Sequence, residues 1–451
     1  MALHSLLVVF LWLAVSAWSL PTEILRRATP SQPTADPFYT PPAGYETSAP
    51  GTILASRAPP GGIAAFSAAP LNVDSAWQIL FRTTDSFGKA TAAVTTILIP
   101  NNADYTKLLS YQVAEDASDP NCAPSYAFQL GAATDGALGL LMPQAELLLI
   151  ETALAQGWVV AVPDHLGLKA AFLANNLSGQ TVLDNIRAAL SSTDFTKISS
   201  DATVAMWGYS GGSLASGFAA ELQPSYAPEL NIVGAALGGT VPQILPVINA
   251  TNKGLFTGLV PSGIMGLANE YPEIDTVISE YLLPSKKDAF EKARSQCLVG
   301  DIIDYLGQDV YSYVTNSSFL TNDAVTKVLN QNNMGQNAPE IPLLVYKSSN
   351  DEISDVKYTD SLVSTYCAAG TSVEYKKDFL SEHGTMAVIG APDAILWLED
   401  RMRGVPVNTS CSTSSTFTSL SNPSTLAVLG EVLVNALLDL LGAPPGPIVI
   451  G

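Results

Sequence analysis

A glycine-rich pentapeptide lies in the middle of the chain, between an apolar run and a run of small residues. The apolar run "ATVAMWG" (202–208) predicts a buried strand, and "SLASGFAAEL" (213–222) predicts a helix. The connecting residues Gly208-Tyr209-Ser210-Gly211-Gly212 match the pattern G-x-S-x-G. In a tight strand-to-helix turn, the positions two before and two after the serine face the crowded inside and need small residues. Ser210 is therefore a candidate nucleophile, with a flexible Gly/Ser loop as the alternative.

Apolar strands alternate with helical segments on both sides of this turn. Strands that are apolar throughout are typical of a parallel sheet covered by helices on both faces. The sequence thus predicts an α/β fold with a mostly parallel central sheet. The predicted strands before residue 240 are a hairpin in 75–100 and single strands in 107–115, 202–208 and 230–239. A further short strand, followed by a loop, is predicted in 157–167, and a helix at 181–190.

The alternation breaks from about Val241 to Gln331, where the sequence is helical in character. It resumes with the strand-like "IPLLVYKSSNDE" (341–352) and the helical "PDAILWLEDRM" (392–402). The core is therefore predicted to be interrupted by a helical lid or cap. The predicted divisions are a signal peptide (1–19), an N-terminal arm (20–45), a first core part (46–240), the helical insertion (241–331), a second core part (332–410) and a C-terminal segment (411–451).

The first residues predict export from the cell. A dozen apolar residues precede Ala17-Trp18-Ser19, a small-x-small cleavage pattern, although the start carries no Lys or Arg. This apolar run is too short to span a membrane, so we predict a secreted protein with no integral span. Arg26-Arg27 is a possible dibasic processing site, with an unprocessed surface arm as the alternative.

The number of cysteines and the glycosylation signals are also typical of a secreted protein. Four cysteines, an even number in a predicted secreted chain, favour two disulfides. None is arranged as CxxC, so no zinc or other metal site is predicted. The cysteines are Cys122, Cys297, Cys367 and Cys411, and the candidate glycosylation sites are Asn176, Asn249, Asn316 and Asn408.

The charge balance narrows the possible partners. The 451 residues include 41 acidic and 21 basic side chains, which gives a net charge of −20. Nucleic acids and anionic membrane surfaces would be repelled by such a chain, so neither is predicted as a partner. A neutral ester or lipid substrate is more compatible with this negative charge than an anionic one. No organic cofactor is predicted, because the glycines around Ser210 do not form a G-x-G-x-x-G fingerprint.

A serine nucleophile needs an adjacent base, and the chain has only three histidines. His4 lies in the predicted signal peptide and His165 precedes the serine. His383, in "LSEHGTM", follows it. The order serine, acid, histidine that is typical of α/β-hydrolases selects His383 as the base. His165 is predicted to be a structural histidine under a strand end, with a part in shaping an acyl pocket as the alternative.

The acid should lie between the serine and His383, at the carboxyl end of a strand. Asp351 fits best, while Glu352 and Asp355 are close enough to compete. For the oxyanion of a tetrahedral intermediate, the backbone N–H of Gly211 is one expected donor. Asp116, in the loop after the strand 107–115, is a candidate for the second donor, although spacing alone does not select it.

Several longer stretches of the sequence, in addition to the pentapeptide, resemble a known protein family. "GYSGG", "DHLGLKAAFLA", "SYAPELNIVGAALGGT" and "NDEIS…EHGTM" resemble the fungal secretory lipases of the Candida antarctica lipase A type, in the α/β-hydrolase superfamily. The similarity runs from "DPFYTPP" (36–42) into the C-terminal region. It implies an α/β-hydrolase core with an inserted helical lid, and a secreted lipase acting on carboxylic esters, foremost triacylglycerols, at a lipid–water interface. A broader carboxylesterase acting on short-acyl esters is the alternative.

The resemblance also implies roles for individual residues. Ser210, Asp351 and His383 fall on the catalytic triad, and the backbone N–H groups of Asp116 and Gly211 fall on the oxyanion hole. The four cysteines fall on two bridges, Cys122–Cys297 and Cys367–Cys411. One departure is the tail "GEVLVNALLDLLGAPPGPIVIG", which is more apolar than the family's C-terminal flap and looks shortened. A GPI-anchor interpretation of this tail is weak, because Glu431, Asp439 and three prolines interrupt it.

The acyl chain is expected to contact the insertion. "GLFTGLVPSGIMGL" (254–267) supplies Phe256 and Met265 as candidate substrate-binding residues, with a plain core segment as the alternative. A peptidase on the same core is a further alternative. A non-catalytic binding protein is disfavoured, because no member of the triad is missing.

Overall fold

The protein is described here as a computed structural model that covers residues 29–66, 69–134, 139–419 and 430. The predicted signal peptide, Arg26-Arg27 and most of the C-terminal tail, including Glu431 and Asp439, lie outside the described residues. Within the described ranges, none of the helices has both the length and the hydrophobicity needed to cross a bilayer.

A single large sheet forms the centre of the molecule. Its order in the described part of the chain is β1-β4-β5-β7-β6-β8-β9-β10-β11-β12, and a two-residue pair, β2 and β3, lies apart from it. The strands from β7 to β12 in this order run parallel, whereas β1, β4 and β5 pair antiparallel at one edge. The strands are β1 Ile53–Arg57, β2 Ala64–Ala65, β3 Ala69–Pro70, β4 Ser75–Thr84, β5 Ala90–Ile99, β6 Asp104–Gln112, β7 Trp158–Pro163, β8 Thr203–Tyr209, β9 Ile232–Gly238, β10 Leu343–Ser348, β11 Val373–Asp378 and β12 Ser412–Thr416.

Helices cover both faces of this sheet. Asn175–Leu190, Gly211–Tyr226 and Val356–Ala368 contribute to one apolar cluster, and Leu141–Ala155 and Ala391–Met402 contribute to the cluster on the other face. Strands such as β7 and β10 are buried along their whole length, as expected for a parallel sheet packed on both sides. The predicted mostly parallel α/β fold is confirmed. Four further short helices of the core are Pro124–Ala127, Thr193–Thr196, His383–Ile389 and the 3-10 turn Pro120–Cys122.

The chain between β9 and β10 is helical. All residues of this stretch are described, and none of them belongs to the central sheet. Its buried side chains form an apolar cluster that also includes Ala171, Ala174 and Leu177 of the core. Its helices lie within the range 241–331 predicted for the insertion; they are Ile244–Thr251, Leu259–Glu270, Pro272–Tyr281, Lys287–Glu291, Leu298–Tyr305 and Asp323–Gln331.

The core extends past both of its predicted ends. Strand β12 pairs with β11, so the sheet continues beyond residue 410 into the predicted C-terminal segment. At the other end, Asp36 in the predicted arm forms a 2.6 Å ion pair with Arg57, and Tyr39 is buried against Leu80. The last part of the arm therefore packs on the sheet instead of lying free on the surface.

Two disulfides cross-link separate segments of the chain, and their pairing is the one that the family resemblance implies. Cys122–Cys297 joins the loop after β6 to the insertion, with a Cα–Cα distance of 5.5 Å. Cys367–Cys411 joins the helix Val356–Ala368 to the residue before β12. The first bridge holds the insertion beside the carboxyl ends of the parallel strands, which is where ligands bind in open α/β sheets.

Candidate active site

Ser210 lies at the tip of the turn between β8 and the helix Gly211–Tyr226. Its backbone has φ 51° and ψ −120°, a conformation that few residues other than glycine adopt. Such strain persists only where the surroundings hold it, and here the Ser210 N–H donates to the carbonyl of Gly238 in β9 at 2.9 Å. The half-buried serine side chain is thus displayed on a fixed turn.

The flanking glycines permit a close approach between backbones. A Cβ atom on Gly208 would lie 2.3 Å from the carbonyl oxygen of Gly212. A Cβ atom on Gly212 would lie 1.9 Å from the carbonyl oxygen of Gln112 at the end of β6. Both neighbours are backbone atoms that cannot rotate away. The glycines therefore permit a tight turn that would not accommodate a larger residue at either position.

His383 stands between Ser210 and Asp351. Its Nε2 is 2.8 Å from the Ser210 hydroxyl oxygen, and its Nδ1 is 2.6 Å from Oδ2 of Asp351. With Nδ1–H donating to the carboxylate, the lone pair of Nε2 faces the serine hydroxyl. His383 begins the helix His383–Ile389, where Glu382 and Thr385 form a capping box. Its backbone carbonyl accepts the hydroxyl of Tyr209 at 2.5 Å, so the backbone that carries the ring is also held.

Asp351 alone among the three candidate acids contacts the imidazole. Its Oδ1 accepts the N–H groups of Ile353 and Ser354, at 3.0 and 2.8 Å. Glu352 accepts the backbone N–H of His383 at 2.8 Å instead. Asp355 caps the helix Val356–Ala368 by accepting the N–H of Lys357.

Lys347, in β10, was missed by the sequence reasoning. Its Nζ lies 2.7 Å from Oδ2 of Asp351, and both side chains are fully buried. Burial alone would raise the pKa of Asp351, but the charges and hydrogen bonds of His383 and Lys347 hold that pKa well below its usual range. Burial lowers the pKa of Lys347, against the opposing pull of the carboxylate. A lysine inside the apolar run "LLVYKS" is the signal that could have found it.

The two predicted oxyanion donors lie together beside the serine. Asp116 is buried with φ 46°, and a Cβ atom on Gly211 would lie 1.9 Å from Oδ1 of Asp116. The Asp116 carboxyl group therefore rests against the backbone of the residue that follows the nucleophile. Burial raises the pKa of Asp116 to about 7, with the charge of His383 opposing.

Three buried side chains hold the loop that carries Asp116. Nε2 of His165 lies 2.8 Å from the carbonyl oxygen of Val113, and Glu146 accepts the N–H of Ala114 at 2.8 Å. The Ser262 hydroxyl donates to the carbonyl of Asp116 at 3.0 Å. Burial lowers the pKa of His165 to about 4, so this imidazole is neutral and its Nε2–H can donate to Val113. Its contacts are those of a structural histidine, and Glu146 and Ser262 were not anticipated from sequence.

An apolar cavity adjoins Ser210, Gly211 and Asp116. Among its lining residues only Asp116 carries an ionisable side chain, and most of the others come from the insertion. The remaining lining residues are Phe172, Leu173, Leu214, Val241, Ile244, Val247, Ile248, Leu259, Val260, Gly263, Ile264, Leu267, Leu329 and Ile353. The space beside the nucleophile is thus suited to an alkyl chain.

Phe256 and Met265, the predicted substrate-binding residues, do not line this cavity. Met265 is fully buried in a separate cluster with Phe290 and Tyr305. The helix Leu259–Glu270 instead turns the face that carries Leu259, Val260, Gly263, Ile264 and Leu267 toward the cavity. These residues recur at the three- and four-residue spacing of one helix face, and Met265 lies outside it. The expected segment therefore contributes to the cavity through other residues than Phe256 and Met265.

The candidate glycosylation sites differ in exposure. Asn249, Asn316 and Asn408 are exposed, whereas Asn176 is half-buried and its amide donates to the carbonyl of Gln331 at 3.0 Å. Among the residues that the structure describes, no group of three or more His, Cys, Asp or Glu side chains is arranged to hold a metal ion.

Comparisons with known proteins agree with this architecture. Residues 135–410 match the family model described as secretory lipase. The chain is similar to Lipase A of Arthroderma benhamiae, with 48% identity over 94% of this chain and 91% of that protein. It is also similar to Lipase 5 of Candida albicans, with 40% identity over 93% of this chain and 91% of the relative. Among solved structures, Candida antarctica lipase A superposes with a TM-score of 0.79 and 30% identity, over 93% of this chain and 99% of that chain.

Proposed function

The chain belongs to the secretory lipase family of carboxylic ester hydrolases, and we propose that it is a secreted serine lipase that hydrolyses triacylglycerols through a covalent acyl-enzyme. The single observation that carries the mechanism is the chain of contacts from Ser210 through His383 to Asp351, at 2.8 and 2.6 Å. Neighbouring groups in this order activate a serine for acyl transfer.

In the first half-reaction, the Ser210 hydroxyl oxygen attacks the ester carbonyl while Nε2 of His383 takes its proton. The tetrahedral oxyanion accepts hydrogen bonds from the backbone N–H groups of Gly211 and Asp116. His383 then gives the proton to the alkoxide leaving group, and the glycerol part departs as an alcohol. Asp351 holds the imidazole in the productive tautomer and stabilises its protonated form.

In the second half-reaction, His383 takes a proton from water, and the hydroxide oxygen attacks the acyl-Ser210 carbonyl. The intermediate collapses, the proton returns to the serine oxygen, and the fatty acid leaves. Both halves use the same oxyanion donors, so no further catalytic group is required.

Two features support a long-chain neutral ester as substrate. The cavity beside Ser210 is lined by aliphatic and aromatic side chains that would bury an acyl chain. The net charge of −20 disfavours anionic substrates but does not oppose an uncharged one. We propose that the insertion 241–331 acts as a lid that also supplies most of the acyl-binding surface.

Secretion is part of the proposal. It is supported by the predicted signal peptide 1–19 and by two disulfides, which persist in oxidising compartments. Expression of the full chain in a eukaryotic secretory host tests it. We expect the protein in the medium with its N-terminus at or after Leu20, and retention inside the cells would contradict this.

The activity is tested with p-nitrophenyl esters and an emulsified triglyceride. Ser210→Ala should lose activity by at least about 10³-fold, because the nucleophile is removed while the binding site remains. Ser225→Ala makes the same change at an exposed position near the end of the helix Gly211–Tyr226, and should retain full activity. Full activity in Ser210→Ala would refute the mechanism. Hydrolysis confined to short-acyl esters would mean that the protein is a carboxylesterase and not a lipase.

A further inference from the structure

We infer that Lys347 is a positioning residue of the catalytic triad, which orients Asp351 and sets the lower pH limit of activity. The inference rests on the proposed function, because it assumes that His383 acts as the base. It begins from an uncommon arrangement, namely a lysine with no solvent exposure at its side chain inside a fully buried strand. Lysines are almost never fully buried unless they are paired.

The ammonium group of Lys347 has two partners. Nζ lies 2.7 Å from Oδ2 of Asp351 and 2.9 Å from the carbonyl oxygen of Thr240. Thr240 follows β9 and directly precedes the insertion, and its carbonyl also accepts the Thr359 hydroxyl. Lys347 therefore connects the triad acid to the point where the chain leaves the core.

Asp351 receives donors on both carboxylate oxygens. Oδ1 accepts two backbone N–H groups, while Oδ2 accepts both Lys347 and Nδ1 of His383. A carboxylate with this many directional partners cannot rotate, so its orientation toward His383 is fixed. The shared oxygen also places the ammonium charge next to the imidazole.

That charge opposes protonation of His383. A carboxylate alone favours the imidazolium form, whereas a buried cation on the same oxygen offsets part of the negative charge. The consequence for catalysis is activity that extends further into the acidic range.

Other ionisable groups surround this pair. Tyr209 in β8 donates to the carbonyl of His383, and Asp116 in the loop after β6 faces the imidazole. Glu352 and Asp355, in the loop after β10, add negative charge that favours the cation on Lys347. Of these groups, Asp116 has a pKa of about 7, close to the range of interest. All four groups are retained when Lys347 alone is replaced. A difference in pH profile between wild type and a Lys347 variant therefore reports on the ammonium group.

The test compares pH profiles of kcat/KM on a soluble short-acyl p-nitrophenyl ester. Lys347→Met removes the charge and keeps a similar length, and we expect its acidic limb to move up by about 1 pH unit, equivalent to roughly tenfold lower activity on that limb. Lys347→Arg keeps the charge and should keep the limb near the wild-type position. Lys357→Met removes an exposed lysine that pairs with Asp355, and should leave the limb unchanged because solvent screens that charge.

A purely structural role would lower activity by the same factor at every pH. An unshifted acidic limb in folded Lys347→Met would therefore overturn the inference. If that variant is not recovered folded, Lys347→Gln removes the same charge while keeping a hydrogen-bond donor, and the same shift is required of it.

A second readout is independent of turnover. His165 and His383 are the only histidines after the predicted signal peptide, so their ring signals can be followed by NMR. We expect the His383 ring to protonate at higher pH in Lys347→Met than in wild type, and equal midpoints would overturn the inference. This titration remains informative even if Ser210→Ala retains activity, so failure of the proposed function and failure of this inference are distinguishable.

Discussion

Ser262, on a helix of the insertion, donates its hydroxyl to the backbone carbonyl of Asp116 at a distance of 3.0 Å. Asp116 has φ 46°, a conformation that must be held by its surroundings. The insertion therefore fixes one of the two proposed oxyanion donors in addition to covering the site. Any displacement of this helix would change the direction of the Asp116 N–H.

We expect Ser262→Ala to lower kcat by about fivefold with little change in KM, because one hydrogen bond of about 1 kcal/mol holds a group used in the transition state. Steady-state kinetics on a p-nitrophenyl ester measure this effect. Ser279→Ala, at an exposed position on the next helix of the insertion, is the matched control and should leave kcat unchanged. A rise in KM alone would show that Ser262 contributes to binding instead of oxyanion stabilisation.

Gly212→Ala should prevent formation of the native turn. The added Cβ atom would lie 1.9 Å from a backbone oxygen of β6, so the strand and helix must separate, at a cost of about 3 kcal/mol or more. The yield of folded protein and the thermal unfolding midpoint measure this. Gly300→Ala, in the helix Leu298–Tyr305, meets only ordinary van der Waals contacts at 3.4–3.7 Å and should be neutral or slightly stabilising. Equal stability of the two variants would contradict the argument from backbone contact.

Leu259→Trp should shift the acyl-chain preference toward short esters. Leu259 lines the cavity beside Ser210, and an indole there would occupy space needed by a long chain. The measurement is the ratio of kcat/KM for p-nitrophenyl palmitate and acetate, which we expect to fall about tenfold or more, equivalent to roughly 1.4 kcal/mol of lost binding. Met265→Ala removes a buried side chain from the neighbouring cluster, and should lower stability while leaving this ratio unchanged. A changed ratio in Met265→Ala would instead support Met265 as a substrate-binding residue.

The stability of the protein should fall as the pH rises from about 4 to 8. Burial raises the pKa of Asp116 and Asp164 to about 7 and that of Glu146 to about 8. Unfolded carboxyl groups have pKa values near 4, so the folded state holds these protons more tightly. Their contribution is fully present below the unfolded pKa and is lost as the pH rises through the folded values, at up to about 1.4 kcal/mol per pH unit for each group. Asp351 and His165 have the opposite sign. The contribution of Asp351 is lost only below about pH 4. Burial lowers the pKa of His165 to about 4, so its contribution is lost as the pH falls from about 6.5 to 4 and offsets about one of the three carboxyl groups there.

Thermal unfolding between pH 5 and 8 tests this expectation, with a higher midpoint at pH 5. Glu146→Gln imitates the protonated carboxyl group and should flatten the dependence on pH. Glu280→Gln, at an exposed position, should leave it unchanged. A midpoint that rises from pH 5 to 8 would mean that these carboxyl groups are ionised in the folded protein.

The residues predicted from sequence are those whose signals are local. Ser210 lies within a short motif between a strand and a helix. His383 is the only histidine after it in the sequence, so chain order was sufficient to select the candidate base. Met265 does not line the cavity, although its segment does, because the face that a helix turns to the site depends on tertiary packing. Strand β12, "STSST", carries exposed hydroxyl side chains at the edge of the sheet and has no apolar pattern to mark it. Lys347 was missed because its partner, four residues further on, faces it only once the strand has ended.

The insertion is attached to the core at three separate points. The chain enters it after Thr240 and leaves it after Gln331, and the disulfide from Cys122 to Cys297 adds a third connection near its middle. The disulfide restrains rotation of the insertion about its two chain crossings. Opening of the insertion as a single unit is therefore more restricted than it would be with the two crossings alone. Reduction of the disulfide would remove this restraint and leave the two crossings as its covalent connections to the core.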